Sequence, residues 1–329
     1  PGDAEHQFLI ELMEGVEDIP GAALSEGIQW YWESFPEYMD AVDRAPKALD
    51  VGAQVPHASV RTYVMGERGA NNEPATAEDI EAMAALVREG IQAGALGFST
   101  SRTIAHKALN GEPMPGTFAA EDELFGIGRV LGELGAGVFE VAGAGAAGED
   151  VVAPKREIEW MTRLSKEIDR PVSFAMLQVD AAPDLWREQL ELSKQAAANG
   201  AKIVPQVAGR PFGMLMGLQS DFHAFSGMPT YRELLKLPLS ERVARMRDPE
   251  IKRKILSEDR IMDHWMSGLG TVPSTVFPMG NPPYYEPTNE DTIEAVAKRA
   301  GRDPFDLLYD LMLEDDGKAM FLLPALNYS

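Results

Sequence analysis

The chain has 329 residues, with 52 Asp and Glu against 30 Lys and Arg, a formal net charge of -22 and a mean hydropathy of -0.20. So acidic a surface repels phosphate backbones and anionic headgroups, which excludes nucleic acid and acidic membranes and leaves a small-molecule substrate as the expected partner. No window reaches the roughly 18 to 20 apolar residues of a membrane-spanning helix and no basic-then-apolar leader opens the sequence, so the expectation is a soluble, cytoplasmic, globular protein. There is no cysteine. Disulfides, thiolate metal ligands and a cysteine nucleophile are therefore absent from it, and any nucleophile is water, Ser, Thr, Lys or a carboxylate.

In chain order, the first apolar run is Leu49 to Val55. Ile80, Met83, Ala84, Val87 and Ile91 then recur at helical spacing behind Thr76, a capping residue with Asp79 three places on, and Gly94 ends that helix. Ala95 to Thr100 reads as a strand, Leu124 to Leu134 as a helix stopped by Gly135, and Gly137 to Ala142 as a strand. The alternation continues with a helix over Ile158 to Ile168, a strand over Pro171 to Leu177, a helix over Trp186 to Ala197 and a strand over Lys202 to Val207. Continuously apolar strands separated by amphipathic helices indicate a parallel sheet covered by helices, an α/β fold. The monotony of the repeat and the long loops after strands favour a (β/α)8 TIM-type barrel over an open doubly wound sheet. Gly143 to Gly148 matches G-x-G-x-x-G, but Glu149, Asp150 and Pro154 follow it, so a flexible loop is expected there rather than a phosphate site.

Residues 208–289 leave the rhythm, with a helix from Tyr231 capped by Thr230 with Glu233, a basic helical stretch from Glu241 to Ser257 and a proline-rich segment from Pro278 to Pro287. This is expected to be an excursion or lid within a single domain spanning 1–329, followed by a helical region from Asp291 to Leu313. Further strands are expected near Thr275 to Met279 and Phe321 to Leu326, which still leaves the barrel short of eight units. With a start at Pro1 and an end on Asn327, Tyr328 and Ser329, the chain reads as a central fragment, its barrel completed by a homo-oligomer or a second chain.

Chemistry in such a barrel belongs at the C-terminal ends of the strands. His57 and His106 fall in that layer and are candidates for substrate binding, although His57 could cap backbone and His106 could be solvated. Glu140 lies inside the third strand, where burial demands a partner: a metal, or a cation such as Arg102 or Arg210. Gln178 closes the fourth strand, Gln206 lies in the fifth, and Arg210 just beyond it can grip a substrate carboxylate or pair with Asp221. Met176 reads as core, and Glu26, Glu33 and Glu121 to Glu123 as solvated faces or helix starts. The histidines stand at 6, 57, 106, 223 and 264, with no H-x-H or H-E-x-x-H spacing.

Three stretches carry a resemblance: Trp32 to Asp40 followed by Val51 to Arg61, then Gly94-Ala95-Leu96-Gly97-Phe98-Ser99-Thr100, then Pro205-Gln206-Val207-Ala208-Gly209. Together they resemble the D-aminoacylase-like (N-acyl-D-amino-acid deacylase) branch of the amidohydrolase superfamily. The resemblance implies a metal-dependent barrel in which a divalent metal, zinc by the family plan, activates water against a C-N bond of an amide or cyclic amide. It puts the family's H-x-H pair, metal-ligating cysteine and terminal aspartate outside residues 1–329, so that most metal ligands are expected beyond this chain, and it places Ala142 and Met176 where the family has metal-binding histidines, Gln178 where it has a substrate-binding lysine and Gln206 near its tyrosine. Glu140 is then the candidate surrogate metal ligand or acid/base, Gln178 and Gln206 orient substrate, and Arg210 or Arg102 receives an anionic group. The alternatives are a metal-free barrel that binds a ligand or partner without catalysis, and an α/β barrel of unrelated mechanism should Glu140 face the helices.

Overall fold

The computed structural model describes residues 3–17, 19–108, 111–262 and 271–327. It divides into two compact units, residues 1–209 and 210–328.

The first unit opens with helices α1 (Asp3–Glu17), α2 (Gly21–Gly27) and α3 (Phe35–Arg44). Strand β1 (Val55–Pro56), α4 (His57–Met65), α5 (Glu67–Ala70) and α6 (Ala77–Gln92) follow, then β2 (Gly97–Ser101), α7 (Glu121–Leu134), β3 (Val138–Ala142), α8 (Ala153–Ile168), β4 (Val172–Ala175), α9 (Leu185–Ala198) and β5 (Ile203–Gln206). Local chemistry sets these boundaries. At α6 the Thr76 hydroxyl accepts from the Asp79 amide at 3.2 Å and the Asp79 carboxylate accepts from the Thr76 amide at 2.9 Å. At the far end of α7, Gly135 adopts the left-handed conformation (φ 61) that lets the chain turn back into β3.

All strand pairs in this unit are parallel, in the order β1-β2-β3-β4-β5. Sequence order and spatial order coincide, so there is no reversal of the kind a doubly wound sheet requires. The unit is an arc of a (β/α) barrel, as the periodicity indicated, and the arc does not close on itself among the described residues. Period-two alternation gives the sheet two faces. Phe98, Phe139, Val141, Val172, Phe174 and Ile203 join Met83, Val87, Leu124, Ile127, Met161 and Leu164 of the helices in one apolar core. Ser99, Glu140, Ser173 and Val204 alternate with these on the opposite, inner face.

The run Leu49 to Val55 is not a strand along its length. Only Val55 and Pro56 pair with β2, and Leu49 is 80% exposed. Pro56 has no amide proton to extend the ladder and His57 already begins α4, so the pairing stops there. The glycine-rich turn after β3 is organised rather than loose: the Gly145 and Ala147 amides donate to the Glu149 carboxylate at 3.0 and 3.0 Å, and the buried Thr103 hydroxyl donates to it as well. The anion in this turn is the chain's own side chain.

The second unit contains β6 (Phe212–Met216), α10 (Pro229–Leu234), α11 (Leu239–Met246), α12 (Pro249–Ser257), β7 (Phe277–Pro278), α13 (Ile293–Ala300), α14 (Pro304–Met312) and β8 (Phe321–Leu326). Its core gathers Met216, Phe225, Tyr231, Met246, Leu308, Tyr309 and Phe321. The strands expected near 275 and 321 exist, but they do not extend the parallel sheet. They pair antiparallel in the order β6-β8-β7, a partnership with Phe212 to Met216 that local periodicity did not disclose. Thr230 does not cap by way of Glu233; its amide and hydroxyl both donate to Glu258, 28 positions away. The basic stretch is two helices, α11 and α12, the second capped by Asp248 and tied to α14 by Lys252, which lies 2.6 Å from Asp306 and 2.7 Å from Asp310. His264 lies outside the described residues.

Candidate active site on the inner face

Strand register places chemistry-bearing residues in rows across the inner face. Ser99, Glu140, Ser173 and Val204 form one row, and Ser101, Ala142, Ala175 and Gln206 the row nearer the C-terminal ends. Glu140 is thus on the face opposite the helices, where a barrel holds its interior, which removes the ground for an unrelated barrel mechanism. A hollow of about 290 Å³ opens around it. Its polar lining is Gln54, Glu140, Ser173 and Gln206, and Leu96, Val138, Pro171 and Val204 supply apolar walls.

Within the hollow the Gln54 carboxamide donates through Nε2 to Glu140 Oε2. Its carbonyl Oε1 is buried with no hydrogen-bond partner among the described residues. Of the arginines proposed as partners for Glu140, Arg102 is committed elsewhere in the first unit. Arg102 donates from Nε to Glu157 Oε2 at 3.0 Å and from a terminal nitrogen to the Ala119 carbonyl at 2.7 Å, and it packs over Trp160. Arg210 is exposed and is the first residue of the second unit. Of the sequence-derived candidates, then, the structure brings Glu140 and Gln206 together. Gln178 follows β4 without lining the hollow, and His106 lies with Nδ1 2.7 Å from Ser101 Oγ.

His57 is on the helix side of the sheet, fully buried. Its Nδ1 accepts from the Thr100 hydroxyl at 2.8 Å and its Nε2 donates to Glu123 Oε1 at 2.9 Å, an assignment set by what each partner can offer. Burial holds its pKa below the ordinary 6.5, with the Arg61 and Arg102 charges acting in the same sense, against the hydrogen bond and charge of Glu123. Glu123, read from the sequence as a solvated helix start, is 2% exposed. Burial works to raise its pKa, but hydrogen bonds from His57 and from the Arg61 guanidinium outweigh it, and the net shift is downward. Neutral His57 and the Arg61–Glu123 ion pair form a buried brace that fixes the C-terminal ends of β1 and β2. The ring of His57 leads into a file of Phe98, Phe139 and Trp160 with centroids 5.3, 5.1 and 6.2 Å apart.

Sequence reasoning missed Gln54, Arg61 and Glu123. For Glu123 a signal existed: Glu123, Ile127 and Val130 lie at i, i+4 and i+7, on the buried face of α7. His57, Arg61 and Met65, at i, i+4 and i+8, likewise lie on the buried face of α4. Nothing local distinguishes Gln54.

The hollow's own residues do not by themselves make up a metal site. Among the described residues no group of three or more His, Cys, Asp or Glu side chains could hold an ion. Ala142 offers a methyl group, and Met176 packs in the apolar core beneath the helices. One carboxylate, two carboxamides and a hydroxyl are a hydrogen-bonding set rather than a tetrahedral zinc site.

Parallel strands laid down in sequence order, helices on one face and a carboxylate-centred hollow on the other define an α/β barrel-type protein with its candidate site on the inner face. A profile of the amidohydrolase family matches residues 2–321, and the chain belongs to that family. It is similar to the D-aminoacylase of Alcaligenes xylosoxydans xylosoxydans, with 29% identity over 191 residues, which is 56% of this chain and 36% of the relative. Among solved structures it is similar to a D-aminoacylase crystal structure that defines a novel subset of amidohydrolases, at 19% identity and a TM-score of 0.45. A second D-aminoacylase structure, concerned with one-metal activation and second-metal attenuation at that protein's binuclear metal centre, matches at 19% identity and a TM-score of 0.44. Each of these two alignments covers 89% of this chain and 47% of the solved one, so the chain spans less than half the length of each relative. The D-aminoacylase-like resemblance of the sequence is borne out. No helix among the described residues is long and apolar enough to cross a membrane.

Proposed function

We propose that this protein is a cytoplasmic hydrolase of C-N bonds in small amides or cyclic amides, with Glu140 as its acid/base and Gln54 and Gln206 orienting the substrate amide. The observation that carries this reading is a single carboxylate in the middle row of the inner face, held by one carboxamide and sharing its hollow with a second. A carboxylate so placed can take a proton from an attacking water and return it to the departing nitrogen, an exchange worth about 10²–10⁴ in rate. The two carboxamides supply both a donor for a carbonyl oxygen and an acceptor for an amide N–H.

A second reading, a barrel that binds its ligand without turnover, is favoured by the donor set, which lacks a group of three metal ligands among the described residues. One experiment separates the two: assay the purified protein and its Glu140→Gln variant against a panel of N-acyl-D-amino acids, simple amides and cyclic amides, with metal content measured on the same samples. Hydrolysis reduced at least 100-fold by E140Q, at unchanged fold and metal content, supports the hydrolase. No hydrolysis of any panel member by metal-replete protein refutes it in favour of the binder.

A further inference from the structure

We propose that the hollow at Glu140 receives a cationic, N–H-rich head of the guanidinium or amidinium class rather than a carboxylate. This rests on the site of the reading above and goes beyond it, because a head paired with Glu140 competes there with a substrate amide rather than forming part of it. The hollow has an excess of acceptors. Among the described residues Glu140 has one donor, the Gln54 Nε2, and Gln54 Oε1 is buried beside it with no partner. The amide cannot be turned to relieve this, because its carbonyl would then face the carboxylate. An unpaired buried acceptor is costly, and a charged one more so, which makes an incoming donor the natural complement.

Among the described residues no cationic side chain lines the hollow. Arg102 is committed to Glu157 and Ala119, and Lys202, at the foot of β5, pairs with Asp169 at 2.7 Å. A ligand carboxylate entering here would meet Glu140 with nothing to neutralise it. A planar guanidinium instead presents parallel N–H groups to the carboxylate and still has donors left for Gln54 Oε1. At about 290 Å³ the space suits such a head with a short stem lying on Leu96, Val138 and Val204.

The test is calorimetric titration of the full chain with n-butylguanidine, and with butyrate and butyramide as matched probes of equal stem length. Butylguanidine is expected to bind at least about tenfold more tightly than either, and Glu140→Gln to weaken it by about 10–100-fold, the loss of one charge-assisted contact. Gln54→Leu is expected to weaken it about 3–10-fold and serves alone should E140Q fail to fold. Butyrate binding as tightly as butylguanidine, or butylguanidine binding indifferent to both substitutions, overturns the proposal. If amides are hydrolysed while butylguanidine shows no Glu140-dependent binding, this inference fails and the hydrolase stands; Glu140-dependent binding with no hydrolysis fails the hydrolase and leaves the inference.

Discussion

Removing Glu123 is expected to be among the most destabilising single changes in the first unit. Arg61 is 1% exposed, and its guanidinium has two acceptors, the Glu123 carboxylate and the Glu73 carbonyl, while its Nε has no partner among the described residues. Glu123→Ala strands that charge in the core and also unpairs His57 Nε2. Breaking a buried pair from one side costs about 3–5 kcal/mol, a large part of the ~5–15 kcal/mol that holds a domain together. In a unit of this size that lowers Tm by roughly 6–20 °C. The assay is thermal and urea unfolding followed by circular dichroism and by the fluorescence of Trp160, which lies in the same core. The double variant Arg61→Met/Glu123→Leu removes the charges together and leaves two neutral groups, His57 Nε2 and the Glu73 carbonyl, without their partners, so it is expected within about 1–3 kcal/mol of the parent. A single variant melting within about 2 °C of the parent, or a double variant no better than the single, would refute the reasoning.

Two further expectations follow from the same surroundings. Gly116 has φ +96, and a Cβ there would sit 2.6 Å from His57 Nδ1, whereas Gly135 is left-handed at φ +61 with nothing within 4 Å of its would-be Cβ. Gly116→Ala should therefore cost about 1–3 kcal/mol or more and Gly135→Ala about 1 kcal/mol; equal losses in urea unfolding would show that the His57 ring is no obstacle. Acid should destabilise the protein early. His57 and His223 are both buried and held neutral, His223 with its pKa lowered to about 3 by burial and by the Arg242 and Arg260 charges. Below 6.5 the unfolded chain binds more protons than the folded one, so stability present above that pH is lost as it falls towards the folded values. Each histidine withdraws at most ~1.4 kcal/mol per pH unit. Glu123, with its folded pKa lowered, adds a loss only below its ordinary 4.5. A urea midpoint that stays flat or rises from about pH 7.5 to about pH 5 would contradict this.

What the sequence determined by itself was local. The helices from 77 to 198 and the strands between them were legible because their signals lie within a few residues: Thr76 with Asp79, Ile80 to Ile91 at helical spacing, Gly135 after Leu134. The α/β class and the barrel-like order followed from that alternation, while the face taken by Glu140, left open by the sequence, was decided by strand register. Tertiary structure alone decided which distant residues meet. Glu123 and His57 stand 66 positions apart and Gln54 and Glu140 86, and no periodicity reports such encounters. The same limit hid the pairing of β6 with β8, and the cap that Glu258 gives to Thr230. Hydrogen bonds and apolar faces within one element are dictated by neighbours in the chain. The partners of a buried charge are chosen by the packing of whole elements, which is why Glu140 meets Gln54 while Arg102 is committed to Glu157.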